Sequence, residues 1–385
     1  SRFGDSVDSI AFSWLVYQMT GSTLLMGAVL AFNAIPNLLF APFAGVAADH
    51  YKKQTLVVFS ALGRGGLVAL TGVLFLAGQL QVWHLFVLTF LNSTLETFGS
   101  PALSALNVHL IEKELMAEAA GVSQTASMLV QMLGLGLSGV IIAVWGISGA
   151  LLLDGVTFLL AAGFSALPKL VGDQARETKL TIKVWWVDFR EGLQYTLGNR
   201  TFFVLLLTAL MINLAFTPVN VLEVPYVKDV LSGGPDMLSW LGIALSLGMV
   251  AGGLMVGVCV KKWGTWTTFY GGAVMMGLAS AFLVWGTLPV TLIVYFVVGM
   301  TLALVNGPIG AWMSAHVPAD RQGRVFATVN ALALVATPLG AAISGWAAGM
   351  MPITTLFLGM GVAAVGISLL SRLALGRVAE DGSRL

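Results

Sequence analysis

The sequence predicts an all-α membrane protein with twelve transmembrane helices in two pseudo-symmetric six-helix bundles. Three observations carry that expectation: the apolar composition, the length of the apolar runs, and the placement of the basic residues. Hydrophobic residues make up 57% of the 385 positions and charged residues only 10%, and the mean hydropathy is +0.90. A water-soluble domain carries roughly 25% charged residues, so lipid must cover much of this surface.

The apolar runs fall at 2–20, 24–48, 55–78, 82–108, 120–146 and 148–168, then at 201–226, 237–260, 266–286, 290–315, 324–348 and 352–371. Each is near the ~20 residues that cross ~30 Å of hydrocarbon. Within lipid only a helix satisfies its backbone polar groups inside one segment. Residues 10–19 have the length of a signal-peptide core, but Asp5 and Asp8 precede them and no small-residue cleavage site follows. They are read as part of the first span. The chain opens at Ser1 without a methionine, so the native N-terminus is expected further upstream.

With a cytoplasmic N-terminus, all Lys and Arg except Arg2, Arg64 and Lys228 fall in inner loops or the tail. That is the bias that orients membrane proteins, and an even span number puts both termini in the cytoplasm. The expected organisation is a first bundle at 1–168, a cytoplasmic linker at 169–200, a second bundle at 201–371 and a tail at 372–385. Within the linker, Ile182, Trp185, Trp186, Phe189 and Leu193 recur at helical spacing among charged residues. Such a stretch suits a helix lying along the membrane face. The halves also echo each other: Pro101 and His109 are matched by Pro308 and His316, and Gly45 by Gly257. Repeats of this kind place a substrate site between the halves and allow them to rock about it.

Several function classes are excluded at this stage. The only cysteine is Cys259, so no intrachain disulfide can form. The sequence shows no zinc-type Cys/His spacing, no phosphate-binding glycine loop and no nucleophile elbow. His50, His84, His109 and His316 are scattered near membrane faces. An enzyme, a metal site, a cofactor and a nucleic-acid partner are therefore not expected.

Particular motifs resemble the major facilitator superfamily, specifically its drug-exporter branch similar to macrolide-efflux proteins. Gly45-Val-Ala-Ala-Asp49-His50-Tyr51-Lys52-Lys53 resembles the family's signature loop between spans 2 and 3, with His50 and Lys52 departing from it. Leu152 to Phe158 resembles the branch's sixth span, and Val317 to Phe326 its loop before span 11. Gly134 to Gly139 resembles the exporter signature of span 5 without its usual proline. The resemblance covers essentially the whole chain. It implies a secondary active transporter in a bacterial cytoplasmic membrane. Such a transporter exports amphiphilic or hydrophobic molecules in exchange for protons, by alternating access and as a monomer. A lipid or lysolipid flippase, or an exporter of a metabolite such as a siderophore, stays open on the same fold. The resemblance makes Gly45, Asp49, Lys52 and Lys53 a gating loop. Physically, Gly45 would allow close helix approach and Asp49 would meet the positive N-terminus of a neighbouring helix.

Charges at membrane depth are costly and usually face a partner or a cavity. Counting ~1.5 Å per residue from the outer helix ends puts Asp5 and Arg64 roughly 24 Å deep, Glu96 about 21 Å and Asp8 about 20 Å. Asp154 comes out at only roughly 9 Å and is read as structural. Glu223 lies near the outer mouth, either lining an exit or solvated at the rim. Two readings of the deep layer remain. In one, a carboxylate takes a proton in exchange for substrate, with Glu96 first, Asp8 second and Asp5 also a candidate. In the other, Arg64 simply neutralises Asp5 or Glu96. Amides and aromatics at depth are candidate substrate-cavity residues: Asn33, Asn37, Asn92, Gln124, Gln131, Asn213, Phe216, Asn306 and Trp312.

Overall fold

The computed structural model describes residues 2–110, 116–167, 190–191, 193–317 and 322–382. Apolar sequence of spanning length becomes helix throughout. The helices are α1 Arg2–Thr20, α2 Thr23–His50, α3 Lys53–Leu76, α4 Val82–Leu110 and α5 Met116–Ala166. They continue with α6 Arg200–Pro225, α7 Pro235–Trp263, α8 Thr265–Ala281, α9 Leu288–His316, α10 Gln322–Ala348 and α11 Ile353–Gly382. Among the described residues, eight helical stretches are long and apolar enough to cross a membrane. One of them, Leu129–Ala166, runs for 38 residues. That is long enough for two crossings, and the chain turns inside it at Gly146, with φ 69° and ψ 178°. A side chain disfavours that backbone conformation, and glycine removes the penalty.

Local chemistry explains several boundaries. Asn199 caps α6, its side-chain oxygen accepting from the backbone N–H of Thr201 at 3.0 Å and of Phe202 at 3.3 Å. Beyond α6 the chain widens into a π turn over Tyr226–Val230. There the Tyr226 hydroxyl donates to the Leu283 carbonyl at 2.8 Å. The final helix continues to Gly382, well into the stretch expected to be a separate tail. Of the expected interfacial helix, residues 182–189 lie outside the described residues, while 193–198 are helical.

The chain divides into two compact units. One comprises Ser1–Gly21, Val29–Trp185 and Gly234–Ser239; the other comprises Ser22–Ala28, Trp186–Gly233 and Trp240–Leu385. In the first unit α5 packs on α1 and α3, and α3 packs on α4. In the second, α11 packs on α6 and α8, α10 packs on α6, and α8 packs on α9. The pattern is the same if α6 stands for α1, α8 for α3 and α9 for α4. Small residues allow these approaches. A Cβ on Gly65 of α3 would come within 3.0 Å of the Phe158 Cβ, and one on Gly155 within 3.2 Å of the Gly65 carbonyl oxygen. Many large side chains pointing outward are apolar, among them Leu254, Val144 and Phe164, as a lipid-facing surface requires.

In the 45–53 loop, a Cβ on Gly45 would meet nothing within 4 Å among the described residues, and Lys53 is buried at the start of α3. The side chain of Asp49 lies outside the described residues.

Candidate functional site

The first unit gathers five ionisable side chains from four spans into one place. Arg64 on α3 is central. Its Nη2 lies 3.1 Å from Asp5 Oδ1 on α1 and 3.5 Å from Glu96 Oε2 on α4. Its Nε donates to Asn92 Oδ1 at 3.3 Å, and the guanidinium sits 4.4 Å from the centroid of the Phe158 ring. The sequence alone explains this convergence in part. Asn92 and Glu96 are one turn apart on α4, and Asp5 and Asp8 share a face of α1 at i and i+3. The guanidinium is 15% exposed and Glu96 55%, so the network is sheltered at the arginine and open at the glutamate.

Asp8 occupies a different position. It is half-buried and lines a small cavity of about 60 Å³ with Phe12, Asn33, Thr71, Thr89 and Asn92. Arg64 bonds Asp5 and Glu96 among the described residues, leaving Asp8 outside its ion pairs. Beside the cavity an aromatic ladder joins α2 to α4, with Phe32 5.5 Å from both Phe86 and Phe90.

Asp154 overturns the depth estimate. Its carboxylate lies against Gly4 of α1, where a Cβ would collide with Asp154 Oδ1 and with Thr157 Oγ1. It is fully buried. Oδ1 accepts from the Thr157 hydroxyl at 3.0 Å, and Oδ2 has no partner among the described residues. Asp154 thus belongs with Asp5, Asp8 and Arg64, whose charges all act on it. Counting rise along each helix assumed that all outer ends lie at one level and that no helix tilts. The contact of Asp154 with Gly4 does not fit both assumptions together. An acid with a threonine at i+3, inside an apolar run and on a helix that packs by glycines, was the available signal.

The second unit contains a larger cavity, about 190 Å³, whose lining includes Asn213, Phe216, Asn220, Glu223, Met276 and Tyr295. Asn213 and Phe216 were expected at a cavity, and Glu223 was left between an exit and the rim; the structure puts all three on one wall. Tyr295, a lone tyrosine in an apolar stretch of α9, was not singled out from the sequence. Trp312 stacks on His316 with centroids 4.4 Å apart and also meets Phe202 and Trp266. Asn306 donates to the Leu302 carbonyl of its own helix at 3.0 Å. Asn37 and Gln131 are exposed and line neither cavity, and the Gln124 side chain lies outside the described residues. No cluster of three or more metal-ligating side chains occurs among the described residues.

The family model described as Major Facilitator Superfamily matches residues 1–224 and 205–384. The chain belongs to that superfamily. Its fold is therefore the all-helical facilitator fold, and it is an integral, multi-pass membrane transporter. Relatives of this facilitator include macrolide efflux protein A of Streptococcus pyogenes, 22% identical over 377 residues that cover 96% of this chain and 92% of that one. Multidrug efflux pump Tap of Mycolicibacterium fortuitum is 25% identical over 349 residues, covering 89% and 85%. Among solved structures, nucleoside transporter NupG superposes with a TM-score of 0.73 at 13% identity, over 97% of this chain and 98% of that one. A bacterial homologue of the iron transporter ferroportin superposes at 0.69 with 15% identity, over 98% and 95%. At such identities the solved structures speak for the fold alone.

Proposed function

We propose that this facilitator is a proton-coupled exporter of amphiphilic or hydrophobic small molecules, working by alternating access in a bacterial cytoplasmic membrane. Twelve spans with both termini cytoplasmic belong to the same reading. The observation that carries it is the charge imbalance in the first unit, where among the described residues Asp5, Asp8, Glu96 and Asp154 gather around Arg64. Arg64 pairs with Asp5 and Glu96, and the ionisable groups beyond those pairs supply the acids a proton exchange needs. Asp8 is the first carrier, because Arg64 does not hold it and it opens on the cavity. Glu96 is the second, because it is the exposed end of the arginine network. The printed names of the relatives, macrolide efflux and multidrug efflux, support export of compounds of that type.

The test is uptake of a radiolabelled macrolide into proteoliposomes under an imposed pH gradient, comparing wild type with Asp8→Asn and Glu96→Gln. Gradient-driven uptake is expected in the wild type and should fall at least roughly tenfold in Asp8→Asn. Exchange of labelled for unlabelled macrolide without a gradient should persist. Gradient-driven uptake retained by both variants would remove these acids from the mechanism. A wild type indifferent to the gradient would remove proton coupling itself.

A further inference from the structure

In the second unit α8 and α11 touch closely at one level and part at another. A Cβ on Gly277 of α8 would come within 2.8 Å of the Gly361 carbonyl oxygen on α11, and one on Gly361 would run into the Gly277 carbonyl. Nearer the start of α8, a Cβ on Gly271 would meet nothing within 4 Å among the described residues. There the two helices leave a groove of about 290 Å³, larger than either cavity described above. Gly271, Met275, Leu278, Leu369 and Arg372 line it and are exposed, so it opens on the outer surface of the unit.

The groove is charged at one end and apolar along the rest. Arg372 is the only charged residue in its lining, and it makes no ion pair among the described residues. It stands next to last in the apolar stretch Ile353–Leu373, which places it at a membrane face. On α8, Tyr270, Val274 and Leu278 follow at one-turn intervals from that face inward. Tyr270 thus lies at the level where aromatic rings meet headgroups, and Val274 and Leu278 lie deeper. Lys261 and Lys262 end α7 immediately before α8 begins, so they belong to the same face.

A guanidinium above an aliphatic trough has the profile of a phospholipid, with phosphate at the mouth and hydrocarbon below. Arginine can give two parallel N–H bonds to phosphate oxygens, and basic pockets between spans take lipid headgroups in this way. The lining offers no carboxylate to the ammonium of a zwitterionic headgroup, and the two lysines add positive potential at the same face. We propose that the α8–α11 groove binds one anionic phospholipid of the surrounding bilayer, its phosphodiester on Arg372 and an acyl chain along Val274, Met275 and Leu278. The lipid is a ligand of the outer surface, separate from the cargo and from proton exchange.

Native mass spectrometry of the delipidated full chain in detergent micelles counts bound lipids directly. The chain is titrated with dioleoylphosphatidylglycerol or with dioleoylphosphatidylcholine, which carry the same acyl chains. The first phosphatidylglycerol should bind the wild type roughly tenfold more tightly than the first phosphatidylcholine, as a charge-assisted bond implies. Arg372→Gln should bring the two lipids within about twofold of each other. Lys262→Gln removes a charge from the same face without touching the groove and should leave the preference intact. Gly271→Leu puts a side chain into the groove and should weaken the first binding of both lipids, with the thermal unfolding midpoint unchanged. Equal affinities in the wild type, equal losses in Arg372→Gln and Lys262→Gln, or full binding in Gly271→Leu would each overturn the proposal. Displacement of phosphatidylglycerol by millimolar inorganic phosphate would also overturn it, by assigning Arg372 to a free anion.

Discussion

Gly252→Ala should loosen the second unit, and the chain carries its own reporter for that event. In this unit α7 and α9 meet backbone to backbone. A Cβ on Gly248 would run into the Phe296 carbonyl, one on Gly252 into the Met300 carbonyl, and one on Gly299 into the Leu245 carbonyl. Carbonyl groups cannot rotate away as a side chain would, so overpacking here costs near the upper end of its usual range, about 3 kcal/mol. Alanine returns about 1 kcal/mol of helix propensity over glycine. The net destabilisation is then about 2 kcal/mol, or about thirtyfold in the population of locally opened molecules. Cys259, the only cysteine, lies two turns further along α7 and is 5% exposed. Its rate of maleimide labelling in detergent micelles should rise by about that factor. The neighbouring Gly253 supplies the control, since a Cβ there would meet nothing within 4 Å among the described residues. Gly253→Ala should leave the rate unchanged or lower it. Equal rates in the two variants would refute the argument that the α7–α9 approach depends on a missing Cβ.

Other perturbations probe the first unit and the packing of the second. Arg64→Leu removes the partner of both Asp5 and Glu96. Loss of one member of a buried pair costs 3–5 kcal/mol, and the solvent exposure of Glu96 reduces the expected loss to about 2–3 kcal/mol. Thermal unfolding in detergent measures it, and adding Asp5→Asn should restore part. Gly4→Ala forces a methyl into the Asp154 carboxylate and the Thr157 hydroxyl. It should destabilise by about 1–3 kcal/mol in the same assay, and wild-type stability would mean that α1 does not rest on Asp154. Tyr226→Phe removes the hydroxyl that donates to the Leu283 carbonyl at 2.8 Å, leaving it the Gly286 N–H at 3.2 Å, and should cost about 1 kcal/mol, seen as a lowered unfolding midpoint.

The fold was legible for simple reasons. A 10% charged content leaves lipid as the only solvent for most of the surface, and lipid permits little but helix. The motifs at Gly45–Lys53 and Val317–Phe326 pointed to the superfamily that the family model then matched. The site was legible only in part. Asp5, Asp8, Arg64 and Glu96 were expected in one layer, because they lie at similar residue counts from the ends of their helices. Asp154 and Tyr295 were not, because their partners are on other helices.

Sequence by itself determined the solvent, the secondary structure and the two-fold repetition of this transporter, since each follows from residue type and spacing along one segment. Tertiary structure decided which charges share a place. Packing of α5 on α1 brought Asp154 to Gly4, and the second unit's cavity put Tyr295 and Glu223 in one lining. Those meetings depend on where separate helices cross, and a crossing point is fixed by side-chain volume on both partners together.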